Sequence, residues 1–534
     1  MKPNRRQFLG ASLASASALS FLPGAQAQEA GVMTFALAAR NPNSLEPAYV
    51  VQGADNWVNM QIFDTLVRPE DGTFAVTPGD FKPSLAESWT TSADGRTWTF
   101  QLRKGVKFHG GYGEVTADDV KFTFERLLDP KKPVDRQPLY AGTMESITAE
   151  GPGTVTFKLK RPDPLFCGSI LYTRGGCIVS RKALAERGDK HATNPIGTGA
   201  YEFDRIEPAK GVFLKAFAEH WEGPPGVPEL RFSYILDTTA RTLALLAGQV
   251  DMIEGVRAPG WIPSIQARKK DLLFDMTAPG SINTLHMNMT RKPFDDIRVR
   301  QAVRYAIDKE ALAKSLAPMG KSMVGVMAPA YAGAVTEAEL PPELRYKYDP
   351  DRAKKLLAEA GFAAGLSFPN YMSTREDYSS NMLIVQEQLR KVGMNMEMSM
   401  IDHTTYHLNN RKNLNTLVMF SSSYPPVPTQ IFIDQLAKAS EVKSDGSGGI
   451  NFSHYGAVMP GIDDTLAALD NEPSFDAIVK SVKQMEIQIL RDLPVISLGS
   501  LSYVIVRNPR IDLGYKVRSG YAYWPLKRAR VVKG

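Results

Sequence analysis

Two periods of apolar and polar residues alternate along this chain. Residues 97–109, "TWTFQLRKGVKFH", put Trp98, Phe100 and Leu102 at every second position, the mark of a half-buried strand. The period then changes. In "VTADDVKFTFERLLDP", Val120, Phe124, Leu127 and Leu128 recur at helical spacing. Thr116, with Asp119 three positions on, opens that helix as a capping-box variant, and Pro130 closes it. "GTVTFKLKRP" (153–162) returns to alternation and stops at a proline turn. Farther on, Val299, Ala302, Val303, Ala306 and Ile307 form one helical stripe. "YDPDRAKKLLAEAGF" predicts a helix capped by Asp349, with Pro350 in its first turn and Gly361 at its end. Residues 380–393 predict another, stopped at Gly393, and Met394, Met396, Met398 and Met400 then alternate as the packed side of a strand. Helix, glycine, then strand is the grammar of a β-α-β unit, so the fold class is α/β.

Length and composition place this pattern in a larger frame. A chain of 534 residues exceeds one compact core, which implies two or three domains. The N-terminal segment stands apart. Arg5 and Arg6 precede a mildly apolar Ala/Ser/Leu run, and Ala25-Gln26-Ala27 supplies a small-x-small cleavage site. Paired arginines before so weak an apolar stretch predict a twin-arginine signal over residues 1–27, and therefore a periplasmic protein. Its removal takes away Lys2, Arg5, Arg6 and no acid, so the formal net charge falls from +6 to +3. That balance, with no basic aromatic-interleaved patch, excludes a nucleic-acid binder. Cys167 and Cys177, ten positions apart, either bridge in an oxidising compartment or remain buried free thiols.

A search for chemistry returns little. The chain lacks G-x-S-x-G, H-E-x-x-H and a P-loop lysine pattern. Ser440-Glu-Val-Lys443 fits S-x-x-K, a pattern short enough to recur by chance. His403 and His407 in "DHTTYHLNN" could share one helix face and hold a transition metal, but no nearby Glu or Cys completes a set. "NPIGTGAYEF" (194–203) invites a phosphate-loop reading. The residues after it alternate like a strand, leaving no helix N-terminus to aim at an anion, so Gly197 and Gly199 read as a sharp backbone change between structural units. The chain is not expected to be an enzyme, and no cofactor or metal is assigned.

Nine segments in order resemble the extracellular solute-binding proteins of ABC importers, family 5, the peptide/nickel/oligopeptide-binding group. They include "SLEPAYV" (44–50), "IFDTLVRPE" (62–70) and "PSLAESWTTSADGRTWTFQLRKGVKFHGG" (83–111). Next come "VTADDVKFTFERLLDP", "NPIGTGAYEF" and "HWEGPPGVPELRF" (220–232). "RTLALLAGQVDM" (241–252), "NMTRKPFDDIRVRQAVRYAIDKEAL" (288–312) and "YDPDRAKKLLAEAGF" complete the set. The resemblance implies a type II periplasmic-binding-protein-like fold of cluster C, with three domains in two lobes. Domain I would comprise residues 28–70, 199–285 and 496–534, domain II 71–198 and domain III 286–495. A small polar solute would be trapped between domains I and III and delivered to a membrane permease, with the protein acting as a monomer.

The same resemblance implies the site. The segment "LVMFSSSYPPVPTQ" (417–430) occupies the place where relatives supply ligand contacts, often with an Asp for a peptide amino terminus. Here Phe420 and Tyr424 would line the ligand and Ser421, Ser422 and Ser423 would hydrogen-bond it, with Ser423 approximately where that acid is expected. An ammonium without a carboxylate is costly to bury, which argues against ordinary peptides and for a polyol, saccharide or opine-like solute. Gln52, Tyr140, Arg174 and His286 are further candidates, Arg174 suiting a carboxylate or phosphate. The alternative within the family is a nickel or metal-chelate binder using His403, His407 or His286. A hydrolase on the same scaffold is the remote one.

Overall fold

The computed structural model describes residues 31–534, apart from 51, 133, 135, 136, 279, 426, 447, 519–522, 533 and 534. The proposed signal segment, residues 1–27, lies outside the described residues. Among those described, one sheet has seven strands. In spatial order they are Leu273–Met276, Val504–Arg507, Met252–Glu254, Val32–Leu37, Glu229–Tyr234, Gly211–Ala216 and Tyr201–Glu207. Val32–Leu37 runs parallel to Glu229–Tyr234 and Met252–Glu254, and the other pairs are antiparallel. Three separated stretches of chain therefore build this one sheet.

A second unit is the four-stranded antiparallel sheet Ala86–Thr91, Thr97–Leu102, Thr154–Leu159 and Met144–Glu150. Trp98, Phe100 and Leu102 turn to its core, while Thr97, Thr99 and Gln101 stay on the wetter face. Helix Ala117–Leu128 packs Val120, Phe124 and Leu127 there, opened by the Thr116–Asp119 capping box. Cys167 belongs to this core and Cys177 to that of the seven-stranded sheet. Both are buried free thiols in separate cores, and burial raises their pKa.

The third unit is built on the antiparallel sheet Gly320–Lys321, Val495–Leu501, Ser281–Met287 and Leu417–Ser422. Ser281–Met287 and Val495–Leu501 carry this sheet across the expected limits at 285/286 and 495/496. Beside it, strands Leu366–Ser373 and Met394–Ile401 pair in parallel around helix Glu376–Arg390. Met394 and Met396 are fully buried, whereas Met400 has turned 44% exposed, so only the front of the methionine row packs.

The GTG stretch is a close approach. Gly199 N–H donates to the Ile62 carbonyl at 2.8 Å. A Cβ on Gly197 would meet that same oxygen at 2.0 Å, and one on Gly199 the Gln61 oxygen at 2.5 Å. Thr198 Oγ1 donates to Asp64 at 3.0 Å, and strand Tyr201–Glu207 comes next. Neither glycine needs a left-handed backbone; the expected sharp change gives way to tight packing.

Candidate functional site

Two chain crossings join the seven-stranded sheet to the sheet of the third unit, at residues 277–281 and 501–504. They are tied together: Thr277 N–H donates to the Tyr503 carbonyl at 3.0 Å, and Tyr503 N–H to Thr277 Oγ1 at 3.2 Å. Around this junction charged and polar side chains from both units converge. Arg257, just past strand Met252–Glu254, donates from Nη1 to Ser281 Oγ at 2.8 Å and from Nη2 to Asp377 at 3.4 Å. Its guanidinium lies 4.6 Å from the centre of the Tyr503 ring, a cation–π contact. The Tyr503 hydroxyl is 2.7 Å from Ser423 Oγ. Asp377 also takes a two-point contact from Arg375, at 2.6 and 2.8 Å.

The serine segment forms the end of strand Leu417–Ser422, which pairs on one side with Ser281–Met287. Leu417, Val418 and Met419 are buried; Phe420, Ser421, Ser422 and Ser423 are half-buried. Ser421 is fixed through its backbone, its N–H donating to the Tyr378 hydroxyl at 3.1 Å. Phe420 sits edge-on to His407 with ring centres 6.0 Å apart and tilts against Phe452 at 5.5 Å. This corner thus combines hydroxyls, an aromatic wall, two guanidiniums and one carboxylate.

Three expected contacts fall elsewhere. Tyr424 is 3% exposed: its carbonyl accepts from Tyr331 at 2.6 Å and its hydroxyl accepts from Gln435. His286 is fully buried against Phe452, and burial holds its pKa down at about 3, so it is a neutral core group. Tyr140, 3% exposed, packs in the core of the second unit with its hydroxyl 3.2 Å from Thr173 Oγ1. In each case an aromatic ring that could have faced a ligand gains more from burial beside a hydrogen-bond partner.

Gln52 and Arg174 occupy a different neighbourhood. Gln52 stands at the N-cap position of helix Gly53–Ile62 without a side-chain cap, and its Nε2 reaches the Asn41 carbonyl and Asp55 at 3.4 Å. Arg174 is half-buried in the turn Arg174–Gly176, which packs on Pro47–Tyr49. The sequence pattern does not single out Arg257, Arg375, Asp377 or Tyr503. Arg257 and Tyr503 stand in coil with no periodic signal; "TRED" before an apolar run is the one local sign of a charged helix start. Among the described residues no group of three or more His, Cys, Asp or Glu could hold a metal ion, and Ser440 Oγ donates to the Ile433 carbonyl at 2.6 Å rather than engaging Lys443.

Comparison with known proteins identifies the frame around this corner. Heme-binding protein A of Haemophilus influenzae is 25% identical over 91% of this chain and 90% of its own length. The glutathione-binding protein GsiB of Escherichia coli is 33% identical over 60% of this chain and 61% of its own. The solved structure of MoaA from A. tumefaciens R10, in complex with mannopinic acid, superposes with a TM-score of 0.77 at 27% identity, covering 94% of this chain and 99% of MoaA. The architecture is the two-lobed α/β fold of type II periplasmic binding proteins. Residues 80–441 match the model of the bacterial extracellular solute-binding proteins, family 5, a family of ABC-importer binding components rather than enzymes, and the chain belongs to that family.

Proposed function

We propose that this protein captures an anionic, hydroxyl-rich solute of the opine type between its two lobes for delivery to its permease. One observation carries this reading: the serine segment has three hydroxyls and no acid, and the carboxylate near it is already engaged. Asp377 holds Arg375 at two points and Arg257 at 3.4 Å. Two guanidiniums share this one carboxylate, and a solute carboxylate would complement them. A peptide ammonium would have to displace those arginines to reach Asp377, breaking charge-assisted hydrogen bonds. MoaA, solved with mannopinic acid, supports the class at 27% identity.

The working parts in this reading are Ser421, Ser422 and Ser423 for solute hydroxyls, Phe420 as an apolar wall, and Arg257 with Arg375 for the carboxylate. Domain III takes in strands 281–287 and 495–501, and the protein acts as a monomer. Among the described residues no helix is long and apolar enough to cross a membrane. Export to the periplasm proceeds through the twin-arginine segment at residues 1–27. A thermal-shift screen tests the solute class, because a ligand that binds only the native state raises Tm by mass action. Mannopinate is expected to raise Tm, with mannitol and simple dipeptides giving no rise. A rise with dipeptides and none with mannopinate would overturn the reading.

A further inference from the structure

Residues 71–75 form a short stretch where all three units meet. Buried Asp71 pairs with Arg528 at 3.2 Å and Lys527 at 3.8 Å, in the tail whose Trp524, Leu526 and Ala529 pack in the core of the first unit. Ala75 belongs to the core of the second unit. Between them, half-buried Phe74 packs against the core of the third. Its partner there is Tyr331, and the two rings meet edge-on with centres 5.5 Å apart. Edge-to-face pairs contribute beyond the area they bury. Two further contacts join the second and third units at the surface. They are the exposed Arg161–Asp470 pair at 2.5 Å and Gly95, where an added Cβ would lie 3.5 Å from Pro473. An exposed ion pair is weak, so of these three contacts the ring pair does most to seat the second unit on the third.

Tyr331 is also the neighbour of the serine segment. Its hydroxyl donates to the Tyr424 carbonyl at 2.6 Å, directly after Ser421, Ser422 and Ser423. The loop that carries it is pinned on either side, Glu486 accepting from Val326 and Met327 before it and from Val335 after it. Gly333 lies so close to Val482 that a Cβ there would meet its side chain at 2.6 Å. A loop held at both ends has little freedom to absorb a displacement of the Tyr331 ring, so that displacement passes to the Tyr424 carbonyl. Tyr424 is held at its other end as well, its hydroxyl accepting from Gln435. Phe74 thus stands one residue removed from the backbone that follows the serines, without touching it.

We propose that Phe74 is a positioning residue for solute capture: seated on Tyr331, it ties the docking of the second unit to the setting of the serine segment. The second unit thereby acts on the site without lining it, which accords with Tyr140 lying in its core. This role rests on the serine segment belonging to the solute site, as proposed above, but not on which solute is taken.

The test uses the full chain and reads the two links separately. For the docking link, Arg161→Cys and Asp470→Cys are joined without solute by a short bifunctional methanethiosulfonate; Cys167 and Cys177 are buried and stay out of the reaction. Adding Phe74→Ala should slow this cross-linking about 3–10-fold, whereas Tyr331→Phe, which keeps the ring, should leave the rate unchanged. For the positioning link, hydrogen exchange is followed over residues 419–424. Phe74→Ala and Tyr331→Phe should each quicken it about 3–10-fold, with strand Thr97–Leu102 of the second unit unchanged. Unchanged cross-linking in Phe74→Ala, or exchange over 419–424 indifferent to it, would overturn the proposal. If Phe74→Ala loosens strand Thr97–Leu102 as well, Tyr331→Phe decides, and exchange over 419–424 unmoved by that variant overturns it. With mannopinate, Phe74→Ala should weaken affinity about 3–10-fold, and undiminished affinity would also overturn the proposal. No mannopinate binding by the wild type would sink the opine reading alone, with cross-linking and exchange still deciding the role of Phe74.

Discussion

Glu486 shows how one buried side chain sets the wall behind the candidate site. Its carboxylate accepts N–H donors from Val326 and Met327 at 2.7 Å and from Val335 at 3.2 Å. Room for it exists because residue 325 is glycine: a Cβ there would meet the carboxylate within van der Waals radii. The loop it holds carries Tyr331, whose hydroxyl donates to the Tyr424 carbonyl directly after the serines. Burial pushes Glu486 up to about 7, against the pull of those three donors and of Lys309. The folded state therefore keeps a proton that the unfolded chain releases in the ordinary carboxylate range. The associated stability is present at low pH and lost as pH rises to about 7, by up to about 3 kcal/mol. Tm should carry a fall between about pH 4.5 and pH 7 that Glu486→Gln removes. An identical pH profile in the variant would contradict this. No sequence pattern marks Glu486, because it sits mid-helix among residues of the same helical stripe. Tyr424, His286 and Tyr140 were legible as aromatic groups near the right segments. Whether each faced a cleft or a core depended on partners far away in sequence, such as Tyr331 for Tyr424 and Phe452 for His286.

At the scale of elements, local chemistry carried most of the information. The Thr116–Asp119 box, the Asp349 cap followed by Pro350, and the alternation of Trp98, Phe100 and Leu102 all reside within one segment, and each element forms where its own residues direct. Helix Glu376–Arg390 begins four residues before the expected start, because its first turn is polar and capped by no side chain. The role of Gly197 was the harder reading. Its need for glycine comes from the Ile62 carbonyl, 135 positions earlier in sequence, and a backbone so close cannot be inferred from a turn signal. Gly197→Ala should destabilise the folded protein by about 2–3 kcal/mol, from overpacking against backbone that cannot yield. Denaturant unfolding measures it; a loss below about 0.5 kcal/mol would mean that the strand and helix separate freely there.

At the scale of the whole molecule, buried polar contacts tie the first two units together. Glu46 is buried between Arg126, at 3.0 Å, and His191, and these hydrogen bonds and charges hold its pKa down against desolvation. His109 accepts and donates across the GTG approach, bonding Gly197 and Gly199. The third unit meets the others through the paired crossings at Thr277 and Tyr503, the Arg257 contacts, a shared core in which Leu316 and Met319 pack with Ala36, Ile253 and Val506, the Phe74–Tyr331 rings at 5.5 Å, and an exposed Arg161–Asp470 pair at 2.5 Å. Exposed pairs of that kind contribute little. The family and two-lobed architecture were legible from nine ordered segments. The charge cluster at the junction was not, since its members come from residues 257, 375, 377 and 503 and meet only in the fold. The central claim is that an anionic hydroxylated solute binds at this junction through Arg257. Calorimetric titration with mannopinate, set beside the dipeptide Met-Leu and repeated on Arg257→Ala, tests it most directly. Saturable mannopinate binding, weakened about 10–100-fold by the loss of one charged hydrogen-bond donor, with no Met-Leu binding, is the predicted result. Met-Leu binding in place of mannopinate, or mannopinate affinity indifferent to Arg257→Ala, would contradict it.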